Sequence, residues 1–192
     1  GVEVRVAELR NEKKTLWPLS RDDKDDSRRP NNRRIMGARH YLTDIASTTS
    51  SLVASGTVLV DDSRVKAEWY LWDGERPSIH MYAKKSGYIA VRYKDELFEL
   101  TSTKPMYRNF GVSESKVQQS LTIILEPELY ESVNRPWGVH PDQSRNHLIF
   151  TGGGEKGVTM PMADWGVEFA DNMPDAIREA IKKVRGDTEG SI

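Results

Sequence analysis

Val65-Lys-Ala-Glu-Trp-Tyr-Leu-Trp72 decides the fold: β-branched and aromatic residues dominate, polar ones alternate in, and the run stops at Asp73-Gly74, a strong turn dipeptide. Working outward, Gly56-Thr-Val-Leu-Val60 leads into the Asp61-Asp62 turn just before it. After it come Ile79-His-Met-Tyr-Ala83, a turn at 84–87, Tyr88-Ile-Ala-Val-Arg-Tyr93, a turn at Lys94-Asp95, and Leu97-Phe-Glu-Leu-Thr101. Strand signals that recur about every ten residues with tight turns between them predict an antiparallel β-meander over residues 54–103.

Beyond this block the pattern changes. Residues 113–117 predict a helical turn capped by Ser113. Ser120-Leu-Thr-Ile-Ile-Leu125 predicts a buried strand stopped at Glu126-Pro127. Residues 127–146 read as irregular, and His147-Leu-Ile-Phe150 as a short strand ending in Gly152-Gly-Gly154. Trp165 and Phe169 stand at i,i+4 and predict a helical turn. Pro174 in a first turn, Asp171 or Asn172 as cap, and Ile177, Ile181 and Val184 on one face predict a C-terminal helix. Lys183 and Arg185 suit its last turn, and Gly186 is expected to stop it. The fold class is therefore α+β: an antiparallel β-meander sheet with a C-terminal helix. Val2, Val4 and Val6 alternate with charges, so 1–9 reads as a strand, 10–40 as a charged loop or linker, and 41–192 as the α+β domain.

Composition excludes several classes of function. The 192 residues contain no cysteine, so disulfides, thiolate zinc sites, iron–sulfur clusters and thiol nucleophiles are ruled out. Lys+Arg number 28 and Asp+Glu 29, a net charge of −1, so any attraction to nucleic acid must come from a local patch. No apolar run approaches the roughly 20 residues that span a bilayer, and a cytoplasmic location without membrane partners is expected. Gly rather than Met at position 1 reads as the start of a piece of a longer protein.

Local constellations narrow the search for a site. Gly152-Gly-Gly-Glu-Lys-Gly157 fits G-x-G-x-x-G, but Val158-Thr-Met-Pro161 is extended where a phosphate loop needs a helix, so a hairpin is expected. His40, His80, His140 and His147 follow no metal-ligand spacing, and no metal site is expected. Arg28, Arg29, Arg33, Arg34 and Arg39 lie in a stretch without acids and form a basic segment able to contact phosphates. Asp22–Asp26 just upstream can also neutralise it, which leaves a solvated loop as the alternative. In the proline-bounded loop before His147, Gln143, Ser144 and Arg145 offer an amide, a hydroxyl and a planar cation suited to an anionic phosphate oxygen. The alternative there is that Arg145 pairs with a carboxylate and staples the loop.

Gly1-Val-Glu-Val-Arg-Val6 and Gln143-Ser-Arg145 together resemble two motifs of the GHKL ATPases, the group of gyrase B, MutL, the large heat-shock chaperones and histidine kinases. The first is similar to the Gly-Thr-x-Val-x-Val strand that closes the nucleotide-binding domain. The second is similar to the Gln-Thr-Lys loop that a following transducer domain extends to the ATP γ-phosphate. The resemblance implies a ribosomal-protein-like transducer architecture. It makes Gln143 and Arg145 catalytic, and Gln143, Ser144 and Arg145 the cofactor contacts. The family's Mg²⁺-binding, adenine-binding and lid motifs are absent, so ATP and Mg²⁺ would be held by an upstream nucleotide-binding domain, the first expected partner. A homodimer and nucleic acid are further expected partners. The alternative function is a non-enzymatic module that binds nucleic acid or protein through the Arg28–Arg39 segment.

Overall fold

The computed structural model describes residues 4–7, 32–35, 52–73, 87–94, 96–129, 137–152 and 155–189. Strands β1 (Val4–Ala7) and β2 (Asn32–Ile35) form a two-stranded antiparallel ribbon, with Val4 opposite Ile35 and Ala7 opposite Asn32. The expected charged linker over 10–40 thus contains a strand.

The main sheet has five strands: β3 (Leu52–Val60), β4 (Val65–Trp72), β5 (Ile89–Tyr93), β6 (Glu96–Thr101) and β7 (Leu121–Pro127). Their order is β3-β4-β7-β5-β6. All neighbours are antiparallel except β5 and β7, which run parallel with Ile89 opposite Ile123 and Val91 opposite Leu125. Helices α1 (Lys104–Asn109) and α2 (Ser115–Ser120) connect β6 to β7. A second sheet, β8 (Gly138–Pro141), β9 (Leu148–Gly152) and β10 (Glu155–Val158), has the order β10-β9-β8. Helices α3 (Met162–Asp171) and α4 (Asp175–Glu189) close the described chain.

The molecule is α+β, with a mixed, mostly antiparallel sheet. Within that class the described strands do not run as an uninterrupted meander, because β7 is inserted between β4 and β5. Tyr107 explains part of the insertion, since its hydroxyl donates to the Leu121 carbonyl at 2.6 Å and ties α1 to the start of β7. The expected strand at 79–83 lies outside the described residues.

Both faces of the three central strands are buried, which is why β4 shows hydrophobicity on both alternations. Val65, Ala67, Trp69 and Leu71 point to the helical side and pack with Ile123, Leu125, Phe110, Trp165, Phe169 and Ile177. Tyr70 and Trp72 point the other way and cluster with Tyr88, Ala90 and Ile124. Aromatic edges lock the second sheet and α3 to the first core: Trp137 to Phe150 at 5.4 Å and Phe150 to Trp165 at 5.8 Å, both T-shaped.

Helix ends differ from expectation at three places. Six-residue α1 is too short to show a helical period, but Pro105 in its first turn and Gly111 at φ 74 after its end are proper start and stop residues. Helix α2 begins one residue later than expected, with Glu114 in place of Ser113 as its cap and without a side-chain cap bond. Helix α4 passes through Gly186 to Glu189, because Gly186 is not left-handed and faces open space. Among the described residues no helix is long and apolar enough to cross a membrane.

An ionic network centred on buried Arg92 and Glu68, with Lys66 and Glu126 half-buried at its rim, crosses three strands on the Tyr70 face. Arg92 of β5 donates from Nη1 to Glu68 Oε2 of β4 at 3.0 Å. It also grips Glu126 of β7 with both ends of its fork, Nη2 to Oε2 at 2.6 Å and Nε to Oε1 at 3.2 Å. Lys66 donates to the other Glu68 oxygen at 2.6 Å, and the Tyr70 hydroxyl donates to Glu68 Oε2 at 3.2 Å. Burial pushes the Glu68 carboxyl up, but the hydrogen bonds and charges of Arg92 and Lys66 outweigh it and hold the group at about 2. Burial lowers the Arg92 guanidinium likewise, and Glu126 and Glu68 more than reverse it.

Glu68 is depressed in the fold from an ordinary 4.5 to about 2, so its stabilising effect is full above about pH 5 and lost as pH falls through the folded value. Urea unfolding is therefore expected to show a loss of stability between about pH 5 and pH 3 that is clearly smaller in Glu68→Gln. An identical pH dependence in the variant contradicts this role.

Candidate functional site

The β8–β9 connection carries the three residues singled out in the loop. Pro141 ends β8, Leu148 opens β9, and the two are opposite each other in the ladder. The intervening turn closes on Asp142. Its Oδ1 accepts from the backbone N–H groups of Asn146 at 3.0 Å and His147 at 3.3 Å, and its Oδ2 accepts from the Ser144 hydroxyl at 2.6 Å. Two backbone bonds complete the ring, from Asp142 N–H to the His147 carbonyl at 2.9 Å and from Arg145 N–H to the Asp142 carbonyl at 3.1 Å. The Ser144 hydroxyl first, then, against the opposing desolvation, the His147 and Asn146 N–H groups hold the Asp142 carboxyl below the usual aspartate range. This is the side chain-to-backbone chemistry by which aspartate builds turns.

Arg145 occupies the left-handed region at φ 57. Gln143, Ser144 and Arg145 are all exposed. Gln143 and Arg145 have no side-chain partner among the described residues, so Arg145 does not staple the loop; Asp142 does. Ser144 is committed to Asp142, which leaves the amide and the guanidinium as the free groups of the tip.

A second contact fixes the loop from the main sheet. Strand β6 carries a bulge opposite the Ile89–Val91 step of β5, and Glu99 within it is left-handed at φ 50. Its Oε1 accepts from the Leu148 N–H at 3.2 Å and faces His147 Nδ1 at 3.3 Å. The bulge thus turns a strand glutamate onto the base of the β8–β9 hairpin. Neither Glu99 nor Asp142 was marked as important by the sequence pattern. Pro141-Asp142 is the turn signature by which Asp142 can be found, whereas the alternation around Glu99 carries no trace of a bulge.

The other constellations resolve differently. Arg33 and Arg34 lie on β2 opposite Val6 and Arg5, while Arg28, Arg29 and Arg39 lie outside the described residues. The chain reverses between Gly152 and Glu155, which are paired across β9 and β10, and no helix opens at Gly157. The glycine-rich segment is a hairpin and no phosphate loop. Among the described residues no group of three or more His, Asp or Glu side chains could hold a metal ion.

Two clefts remain. One of about 350 Å³ is lined by Arg64, Lys66, Arg92, Lys94, Glu126 and Glu128, among others. Its cations are already engaged: Arg64 with Asp61 and Asp62, Lys66 with Glu68, Arg92 with Glu68 and Glu126, and Lys94 over the Tyr93 ring. The other, about 770 Å³, runs between α2, α4 and the end of β4 over Leu71, Val117, Ala180 and Val184. No protein-family model, curated protein or solved structure matches the chain.

The loop account predicts that Asp142→Ala speeds amide hydrogen exchange at Asn146 and His147 by at least about tenfold with little change in global stability, since local opening is set by local bonds. Unchanged exchange at those two amides contradicts it.

Proposed function

We propose that the chain is a transducer-like module of a GHKL-type ATPase, whose Gln143-Ser144-Arg145 tip completes an ATP site held by an upstream nucleotide-binding domain. One observation carries this reading. The tip presents an amide and a guanidinium, both exposed and without partners among the described residues, on a backbone already closed by Asp142 and braced by Glu99. Side chains held free on a stiff turn meet an incoming anion without first breaking bonds of their own.

In that role Arg145 supplies a permanent charge to the γ-phosphate as negative charge develops on its oxygens, and Gln143 donates its amide to the same group. Ser144 keeps the turn closed by donating to Asp142. ATP and Mg²⁺ belong to the upstream domain, and nucleotide state reaches the main sheet through Glu99 of β6. The short likeness of Gly1–Val6 to the strand that closes such a domain supports the same arrangement.

The test is ATP turnover by the protein joined to its nucleotide-binding domain. Arg145→Ala is expected to lower kcat by at least about a hundredfold, the size of effect seen when one preorganised donor to a transition-state anion is removed. Turnover unaffected by Arg145→Ala and Gln143→Ala overturns the proposal.

A further inference from the structure

Strand β3 is the outer strand of the main sheet, and its only neighbour among the described residues is β4. Edge strands usually carry a charge, a proline or a cover that prevents a second chain from pairing with them. The nine residues of β3, Leu52-Val-Ala-Ser-Gly-Thr-Val-Leu-Val60, include no charged residue and no proline. Ser55 and Thr57 are exposed, and Val53 and Leu59 are 60% and 54% exposed. The one irregularity is a bulge at Val53, which leaves Ala54–Val60 in regular register with β4.

The order of these residues says what fits the edge. About Gly56 the strand is nearly its own mirror: Ser55 matches Thr57, Ala54 matches Val58, Val53 matches Leu59 and Leu52 matches Val60. An antiparallel copy related by a two-fold axis at Gly56 therefore sets Ser55 against Thr57 and Ala54 against Val58. The faces agree over Ala54–Val58, and beyond them the bulge puts Leu52 and Val60 on opposite faces. Ala54 and Val58 both pack towards the helical core, while Ser55 and Thr57, opposite Tyr70 and Glu68 of β4, both lie on the other side. Because the strand bears no ionic group, two copies meet without like-charge repulsion. The pairing is the isologous, self-complementary kind that closes a two-fold dimer.

We propose that the outer edge of β3 pairs with β3 of a second copy of this chain, antiparallel about Gly56, joining the two five-stranded sheets into one. A single pair of strands buries less than the roughly 1,200 Å² of a standard stable interface, so the dimer is weak and forms with rising concentration. Ladder hydrogen bonds over Ala54–Val58 hold it, with Ser55 of each copy beside Thr57 of the other.

Sedimentation of the 192-residue chain from about 10 μM to about 1 mM tests the pairing, a range that brackets weak association. The weight-average mass is expected to rise from 21.8 kDa towards twice that value. Thr57→Lys places an ammonium from each copy near the two-fold axis and is expected to weaken association at least about tenfold. Adding Ser55→Glu to it sets a carboxylate across from each new ammonium and is expected to restore association. A mass that stays monomeric, a Thr57→Lys chain that associates as well as the parent, or a double variant no better than the single overturns the proposal. If the substituted chains do not fold by circular dichroism, hydrogen exchange on the unmodified chain decides. Amides of Ala54–Val58 that gain protection with concentration support the pairing, and amides insensitive to concentration overturn it.

Discussion

Arg92 bonds at once to β4 through Glu68 and to β7 through Glu126, so one side chain records the order of three strands. Breaking a buried ion pair by removing one partner costs about 3–5 kcal/mol, whereas replacing the whole set with apolar groups is often harmless. The network therefore contributes less to raw stability than to the choice of arrangement. Strand β5 meets β7 in a parallel pair of only three registered positions. A slip of one residue there turns Arg92 to the helical face, takes the guanidinium from Glu126 and leaves Glu68 with Lys66 alone. The network makes such a slip expensive, and it keeps β7 in the middle.

Everything that bears on function follows from that middle position. With β7 between β4 and β5, β3 and β6 become the two edges. The chain then leaves β7 at Pro127 and is handed to the second sheet, where Leu129 bridges to Val139 and the Glu128 carbonyl accepts from the Val139 N–H at 3.2 Å. That handover brings the β8–β9 hairpin to β6, whose bulge turns Glu99 onto it. At the other edge, the β3–β4 hairpin is pinned by its tip: Asp61 accepts from Trp165 Nε1 at 3.0 Å, Glu168 accepts from the Asp61 N–H at 2.6 Å, and Arg64 lies 4.5 Å from the Trp137 ring centre. Asp61, Asp62 and Ser63 are all left-handed in this turn, a conformation that the clamp from α3 helps to hold. Strand β3 is thus anchored at one end and, among the described residues, paired along one side alone.

Strands were legible where alternation survives in the local sequence, as in Val65–Trp72, where Lys66, Glu68 and Tyr70 interleave with Val65, Ala67 and Trp69. Their order was not, because β5–β7 pairing is a contact between residues more than thirty positions apart, which no local pattern encodes. Helix α1 was hidden by its shortness, and Gly186 misled because a glycine can also sit inside a helix that is held by Ile177 and Ile181 beneath it. At the loop, Gln143, Ser144 and Arg145 stood out by chemical type. Asp142 and Glu99 did not, since an aspartate that closes a turn and a glutamate on a bulge act through geometry that side-chain identity alone does not encode.

A double-mutant cycle across Arg92 and Glu126 tests the central claim most directly. Stability is measured by urea unfolding for the parent, Arg92→Met, Glu126→Gln and the pair together. If Arg92 holds β5 against β7, the two changes are coupled by about 1–3 kcal/mol, the double variant losing far less than the sum of the singles. Losses that simply add would mean that the two side chains act independently, and that something else keeps β7 at the centre of the sheet.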